Sequence, residues 1–260
     1  MSFRLGFAGI TGKMTGLCIE QAKAEGLTIA GGTMRPASTK ARPADIGLFD
    51  DVAALAAACD AIIDFTHADA VVAHAKTLEG ARCAWVIGAS GVTPAGRDAI
   101  VDAARARPVF YAANFSRGMN VVLLLAERLA QLLPYENYDA EVVDIFHRRK
   151  VDAPSGTAIA IGEAVARGRG QSLDQVKVAG RQGDIGARKA GEIGFSSLRG
   201  GAVAGENSLI MTGASEQTSL THRVANPRIY AKGAIDAARW VVTKPPGLYA
   251  MKDMIGELNA

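Results

Sequence analysis

Over roughly its first 115 residues the chain alternates short apolar runs with stretches of helical period, and every second element reads as a strand. That alternation is the pattern of a parallel sheet built from β-α-β units. The strand candidates are Arg4–Ala8, Leu27–Gly31, Ala61–Phe65, Ala84–Gly88 and Pro108–Ala112. Helix candidates lie between them, near Met14–Ala24, Val52–Ala58, Ala70–Leu78 and Pro94–Arg105. Thr33–Ala44 reads as a polar loop, and no internal repeat or low-complexity tract interrupts the series.

From Asn114 the pattern changes. A long apolar helix (Met119–Leu133) leads to a strand (Ala140–Phe146), and a helix begins near Ser155. After the glycine- and charge-rich stretch Gly168–Gly191 come the runs Ile193–Leu198, Ala202–Gly205, Ser208–Thr212 and Thr218–Val224. Consecutive strands with glycine turns predict a mixed or antiparallel sheet, and Ile229–Val242 is again helical. Two domains are expected: residues 1–116, joined by a returning segment 228–260, and residues 117–227.

The 260 residues are 49% hydrophobic and 21% charged, enough to fill a core and too apolar for wholesale disorder. A net charge of +3 without a basic run predicts no nucleic-acid partner. No apolar stretch is long enough to span a membrane, and Met1–Leu5 lacks the layout of a signal peptide. Cys18, Cys59 and Cys83 are far apart in sequence, without a CxxC pair. Neither a disulfide frame nor a structural zinc site is expected, and a cytoplasmic location fits. No His, Cys, Asp and Glu grouping has metal-ligand spacing, so no metal is expected.

The stretch Leu5-Gly6-Phe7-Ala8-Gly9-Ile10-Thr11-Gly12-Lys13-Met14-Thr15-Gly16 sets glycines directly after the first strand and at the start of a helix. Such a loop turns backbone N–H groups and the helix N-terminus toward a pyrophosphate; a tight structural turn is the other reading. Its spacing is Gly9-x-x-Gly12, with Thr11 where an additional glycine of the full dinucleotide fingerprint would stand. After the second strand, Gly31 to Lys40 holds no carboxylate to take a ribose 2′-hydroxyl. Arg35, Ser38, Thr39 and Lys40 offer donors and positive charge suited to a phosphate monoester, which predicts NADPH in preference to NADH.

The most specific stretch is Glu141-Val142-Val143-Asp144-Ile145-Phe146-His147-Arg148-Arg149-Lys150-Val151-Asp152-Ala153-Pro154-Ser155-Gly156-Thr157-Ala158. An apolar strand ends in basic residues, and a Pro-Ser-Gly-Thr turn opens an amphipathic helix. The N–H groups of Gly156 and Thr157, with the hydroxyls of Ser155 and Thr157, form a cradle for a carboxylate or phosphate. His147 and Lys150, three residues apart, can bring charge and a proton donor to the same anion.

Lys150-Val-Asp-Ala-Pro-Ser-Gly-Thr-Ala158 resembles the signature of the 4-hydroxy-tetrahydrodipicolinate (dihydrodipicolinate) reductase family of the diaminopimelate–lysine pathway. The resemblance runs nearly the whole chain, through Gly9-x-x-Gly12-Lys13-Met14, Ile63-Asp64-Phe65-Thr66, Gly88-Ala89-Ser90-Gly91, Ala113-Asn114-Phe115-Ser116 and Gly118-x-Asn120. It continues through Arg181-x-Gly183-x-x-Gly186-x-Arg188, Gly194-Phe195, Gly205-Glu206, Thr221-His222 and Gly247-Leu248-Tyr249-x-Met251. It implies an α/β chain with a Rossmann-like parallel-sheet dinucleotide domain. The second domain would be α+β, with a mixed sheet that binds substrate and builds a homotetramer, and a hinge would join the two. It implies that Gly9, Thr11, Gly12, Lys13 and Met14 form the cofactor loop, with Arg35 at the adenosine ribose or its 2′-phosphate. Phe65, Thr66, Gly88, Ser90, Ala113 and Phe115 would border the nicotinamide. His147, Lys150, Ser155, Gly156, Thr157 and Ser90 would meet a small cyclic dicarboxylate, with Lys150 and His147 catalytic. The implied reaction is hydride transfer from NADPH or NADH to a cyclic imine, with loss of water overall and a final protonation.

The resemblance fails at four places. Phe146 stands where the family has the first of two adjacent histidines, usually assigned as general acid, and phenylalanine cannot donate a proton. Asn207 follows Gly205-Glu206 where histidine is common, Thr15 replaces a glycine, and Ala89-Ser90 replaces a Thr-Thr pair. Three readings follow from Phe146: a working reductase whose proton comes from Lys150, His147 or water; a paralogue reducing a different cyclic imine acid; or a non-catalytic NADP(H)-binding sensor. Of the remaining histidines, His67 is read as a ribose contact or a solvated loop residue, His74 as a surface residue and His222 as a packing residue.

Overall fold

The structure, a computed structural model, describes residues 3–35 and 38–257. In chain order the first elements are β1 (Arg4–Ala8), α1 (Lys13–Ala24), β2 (Thr28–Thr33), α2 (Val52–Ala58), β3 (Ala61–Asp64), α3 (Ala70–Thr77), β4 (Ala84–Ile87), α4 (Pro94–Ala103) and β5 (Pro108–Tyr111). There follow α5 (Arg117–Leu132), β6 (Asp139–Phe146), α6 (Gly156–Gly168), α7 (Leu173–Val176), β7 (Lys177–Ala179), β8 (Ile193–Arg199), β9 (Glu206–Thr212) and β10 (Gln217–Arg223). The chain closes with α8 (Arg228–Val241), β11 (Gly247–Tyr249) and α9 (Met251–Glu257). These form two compact units, one joining the residues up to Arg117 with those from Arg228 onward, the other Gly118–Pro227.

The first unit holds a six-stranded sheet in the order β11-β5-β4-β3-β1-β2. Every pairing in it is parallel. Its central strands are apolar on both faces because both faces are covered. Ala61 and Ile63 of β3, with Val86 of β4, face α1, α8 and α9; Ile62, Trp85 and Ile87 face α2, α3 and α4. Local chemistry starts the helices. Asp51 caps α2 by accepting from Ala54 N–H at 2.8 Å, and Thr93 caps α4 just before Pro94, a residue preorganised for a first turn. Strand order reverses between β1 and β3, which opens a crevice beyond the carboxyl ends of these strands.

The second unit holds a five-stranded mixed sheet in the order β10-β9-β6-β8-β7. β6 runs parallel to β8 and antiparallel to β9. Alternation along β6 sends Ala140, Val142 and Asp144 to one face, where Ala158, Ile161, Ala164 and Val165 of α6 pack with Phe195 and Leu209.

Two sequence expectations change here. Ala202–Gly205 is no strand: Gly201, at φ 51°, turns the chain between β8 and β9. β6 ends at Phe146, so His147 and Lys150 lie in the following turn and not on the strand; Lys150 N–H donates to His147 O at 3.0 Å. The sequence reading placed no element at α7, β7, β11 or α9.

Candidate functional site

In the first unit a cleft of about 700 Å³ opens at the β1/β3 crevice. It is lined by the loop after β1 (Gly9, Thr11, Gly12), the end of β2 and its loop (Thr33, Met34, Arg35, Ser38, Thr39, Lys40), and the end of β3 (Phe65, Thr66, His67). Gly9 has φ 74°, and a Cβ there would fall 2.9 Å from Thr66 Cγ2, so only glycine fits the turn. Gly12 N–H donates to Gly9 O at 2.9 Å, which closes the turn. Gly12 is also the N-cap of α1 and offers no side-chain cap, so the first N–H groups of that 12-residue helix are left for another acceptor. Beneath the turn, the buried Thr15 hydroxyl has no hydrogen-bond partner among the described residues. A concave, uncapped helix start beside Arg35 and Lys40 fits the pyrophosphate and phosphate groups of a dinucleotide.

The floor of this cleft is organised by Asp64, which is 1% exposed. Its carboxylate accepts from Thr66 N–H at 3.0 Å, Thr66 Oγ1 at 2.6 Å and Trp85 Nε1 at 3.1 Å, and pairs with His74 Nδ1 at 2.7 Å. Burial pushes the Asp64 carboxyl up, but the bonds from His74 and Thr66 outweigh it and hold it below the usual aspartate value. His74 is therefore no free surface residue. It and Thr77 line the cleft from α3, as do Asp50 and Asp51 from the segment before α2. Sequence reading missed these four; for His74, the spacing of one carboxylate at the strand end and one imidazole on the next helix was the available signal.

Several expected cofactor residues lie outside the cleft lining. Lys13 and Met14 form the first turn of α1, Lys13 being exposed. Gly88 follows β4 and supports Phe65, since a Cβ there would lie 2.2 Å from its ring. Ser90 and Ala113 are exposed in the loops after β4 and β5. Phe115 is 2% exposed, its ring 5.5 Å edge-on from the cleft-lining Phe65 and 6.0 Å from Phe110. His67, exposed, pairs with Asp69 at 3.0 Å.

In the second unit the basic turn and the start of α6 are tied together by a buried ion pair. Asp144 of β6 accepts from Ser155 N–H at 2.6 Å and from Arg199 Nη1 at 2.8 Å. Burial pushes its carboxyl up, and Arg199 and Ser155 bring it below the usual value. Arg199 also donates to Asp152 O at 2.7 Å, and Asp152 pairs with Lys150 Nζ at 2.8 Å. Asp152 is in turn held below the ordinary range by the hydrogen bond from Lys150. The Ser155 hydroxyl, expected to meet substrate, is buried: it caps α6 by accepting from Ala158 N–H at 3.1 Å and donates to Asn207 Oδ1 at 3.3 Å. Gly156 and Thr157, exposed and half-buried, keep first-turn N–H groups that no residue of the helix can accept from. Phe146 lies between cations, its ring centroid 4.8 Å from Lys150 Nζ and 5.6 Å from Arg199 Cζ. His147 Nδ1 is buried with no hydrogen-bond partner among the described residues. Sequence reading also missed Arg199, which reaches Asp144 only because β6 and β8 are neighbours.

A parallel sheet with a cleft at its strand-order switch, a glycine turn and an uncapped helix start place the first unit in the dinucleotide-binding class used by reductases and dehydrogenases. More narrowly, the chain belongs to the dihydrodipicolinate reductase family. The family's N-terminal profile matches residues 3–115 and its C-terminal profile residues 118–255. It is 50% identical over 255 residues to the 4-hydroxy-tetrahydrodipicolinate reductase of Granulibacter bethesdensis, covering 98% of this chain and 97% of the relative. It is 49% identical over 253 residues to that of Acidiphilium cryptum, with 97% of each chain covered. Among solved structures, the dipicolinate-bound dihydrodipicolinate reductase from Paenisporosarcina sp. TG-14 matches with a TM-score of 0.76 at 19% identity, covering 96% of this chain and 98% of that one.

Proposed function

We propose that this chain reduces 4-hydroxy-tetrahydrodipicolinate, a small cyclic dicarboxylate, to tetrahydrodipicolinate in diaminopimelate and lysine biosynthesis, with NADPH preferred to NADH. The observation that carries the substrate side is the α6 start. Asp144 fixes Ser155, leaving the Gly156 and Thr157 N–H groups for a carboxylate, in a turn tied through Arg199 and Asp152 to Lys150. Membership of the family supports the reaction.

In this reading Gly9, Thr11 and Gly12 hold the pyrophosphate, Arg35 and Lys40 take a 2′-phosphate, and Phe65 and Thr66 border the nicotinamide. When bound, NAD(P)H supplies a hydride from C4 of its ring. Lys150 stabilises the negative charge that hydride arrival places on the substrate ring. Its ammonium leaves Asp152 for the substrate's carboxylate, an exchange of one anionic partner for another. His147 is the proton donor, because Phe146 can hold no proton and the His147 ring has a nitrogen without a partner among the described residues.

The chain also acts as a homotetramer in this reading. The face of the second sheet away from α6 presents Val143, Ile145, Leu198 and Ile210, with Leu198 52% exposed, and further copies of the chain would cover it. A cytoplasmic location, with no nucleic-acid or membrane partner, goes with a biosynthetic role; among the described residues no helix is long and apolar enough to cross a membrane. Light scattering on the purified chain measures the assembly. The functional test is NADPH and NADH oxidation with freshly made synthase product. Turnover with NADPH is expected, and none with either cofactor would reject the reading. Phe146 supports one second reading, a related reductase acting on a different cyclic imine acid; turnover of other such acids in the same assay, without turnover of the synthase product, would favour it.

A further inference from the structure

At the opposite end of the first sheet, by the amino ends of β3 and β4, a second cavity of about 660 Å³ is lined in part by Cys59, Asp60, Arg82 and Cys83. The two cysteines stand 24 residues apart in sequence, and their Sγ atoms approach to 3.6 Å as free thiols. The geometry follows from the sheet. Cys59 precedes β3 and Cys83 precedes β4, and these strands pair in parallel with Ala61 opposite Ala84. Ala84 N–H donates to Asp60 O at 3.0 Å, which extends the pairing to the segment that carries both thiols. Neighbouring strands bring Cα atoms within the span of a disulfide, and closing the bond needs the sulfurs to approach by about 1.5 Å.

A buried cation accompanies the pair. Arg107 is 1% exposed and donates through Nη2 to Leu78 O at the end of α3. Its Nε and Nη1 have no acceptor among the described residues, and its charge acts on the Cys83 sulfur, favouring the thiolate there. The neighbouring Cys59 and burial act more strongly and push the Cys83 thiol up.

We propose that Cys59 and Cys83 form a reversible dithiol site, closed to a disulfide by low-molecular-weight disulfides that enter this cavity. The Cys59 thiolate attacks one sulfur of R–S–S–R, breaking that bond and releasing R–S⁻, which takes up a proton. The mixed disulfide so formed on Cys59 places its R group in the cavity. Cys83 then loses its proton and attacks Cys59 Sγ, releasing the second R–SH. Two protein thiols are oxidised and one small disulfide is reduced to two thiols. The site is independent of the reductase reading.

The test incubates the reduced full chain, freed of reductant, with bis(2-hydroxyethyl) disulfide, followed by intact mass and peptide mapping. The expected product is lighter by two hydrogen atoms, carries a Cys59–Cys83 cross-link, leaves Cys18 free, and reverts with dithiothreitol. In Cys83→Ser the mixed disulfide should persist on Cys59, since the resolving thiol is gone. An unchanged mass, a cross-link that uses Cys18, or a mixed disulfide that persists on Cys59 with Cys83 intact would each overturn the proposal.

Discussion

Lys150 Nζ lies 4.8 Å from the centroid of the Phe146 ring, with Arg199 Cζ 5.6 Å from the same ring. Where the family carries a proton donor, this chain has an aromatic face between two cations. A histidine restored there would sit beside both charges, which disfavour its protonated form and move its titration below the ordinary value of about 6.5. Phe146→His should therefore raise kcat at acid pH, by about tenfold near pH 5.5, and little at pH 8, because a general acid adds only in its protonated form. A pH–rate profile of the two proteins checks this, and superimposable profiles would mean that protonation at residue 146 does not limit turnover.

Lys150→Ala should lower kcat by about 10²-fold, the scale of a lost charge-stabilising contact in a transition state. NADPH affinity, measured by fluorescence titration, should stay within about twofold, since Lys150 belongs to the second unit and the cofactor cleft to the first. Weaker NADPH binding with normal turnover of the bound complex would place Lys150 with the cofactor instead.

Cofactor choice depends on Arg35 and Lys40, two cations lining the cleft beyond β2. The double variant Arg35→Ala/Lys40→Ala should lose about 10²-fold in kcat/KM for NADPH, the scale of two charge-assisted contacts to one phosphate, and change little for NADH. Equal losses with both cofactors would argue for a general electrostatic role.

Most of the first unit was legible because its signals are local. β1 and α2 begin and end where the periodicity put them, since each is bounded by a turn residue or a cap. The glycine turn and the start of α6 were legible for the same reason: Gly9 and Gly12, and Ser155 to Thr157, are short-range patterns with a backbone cause. What escaped depends on contacts distant in sequence. Arg199 meets Asp144 from 55 residues away, and His74 meets Asp64 across a helix start. The cysteines seemed isolated for the same reason, being 24 residues apart on a line and 3.6 Å apart in the sheet. The second bond of Ser155 was hidden in the same way: its hydroxyl caps Ala158 N–H, as a local pattern allows, and also donates to Asn207, 52 residues away.

Asp64 gives a stability prediction in the first unit. Asp64→Asn keeps the side-chain volume but loses the charge that His74, Thr66 and Trp85 surround. A loss of about 1.5–3 kcal/mol is expected from weakening bonds to a buried charged acceptor, read by urea unfolding at pH 7. NADPH affinity should fall with it, because Thr66 and His74 line the cleft.

Asp144 combines stability with pH. Its folded-state carboxyl, like that of Asp64, lies below the ordinary aspartate value, through Arg199 and Ser155 acting against burial. A carboxyl depressed on folding contributes stability that is fully present above its unfolded value of about 3.9 and is lost as pH falls through the folded value. The Tm should thus be nearly flat from pH 7 to 5 and fall steeply below about pH 4, where protonation releases Arg199 and frees Ser155 N–H. Asp144→Asn leaves the Arg199 cation without its buried partner and should cost about 3 kcal/mol at pH 7. The variant's acid limb should be shallower than the parent's, because one of the depressed carboxyls no longer titrates. Thermal melts of both proteins from pH 3 to 7 decide the matter, and parallel curves offset by a constant amount would show that Asp144 contributes shape and hydrogen bonds but no linked proton.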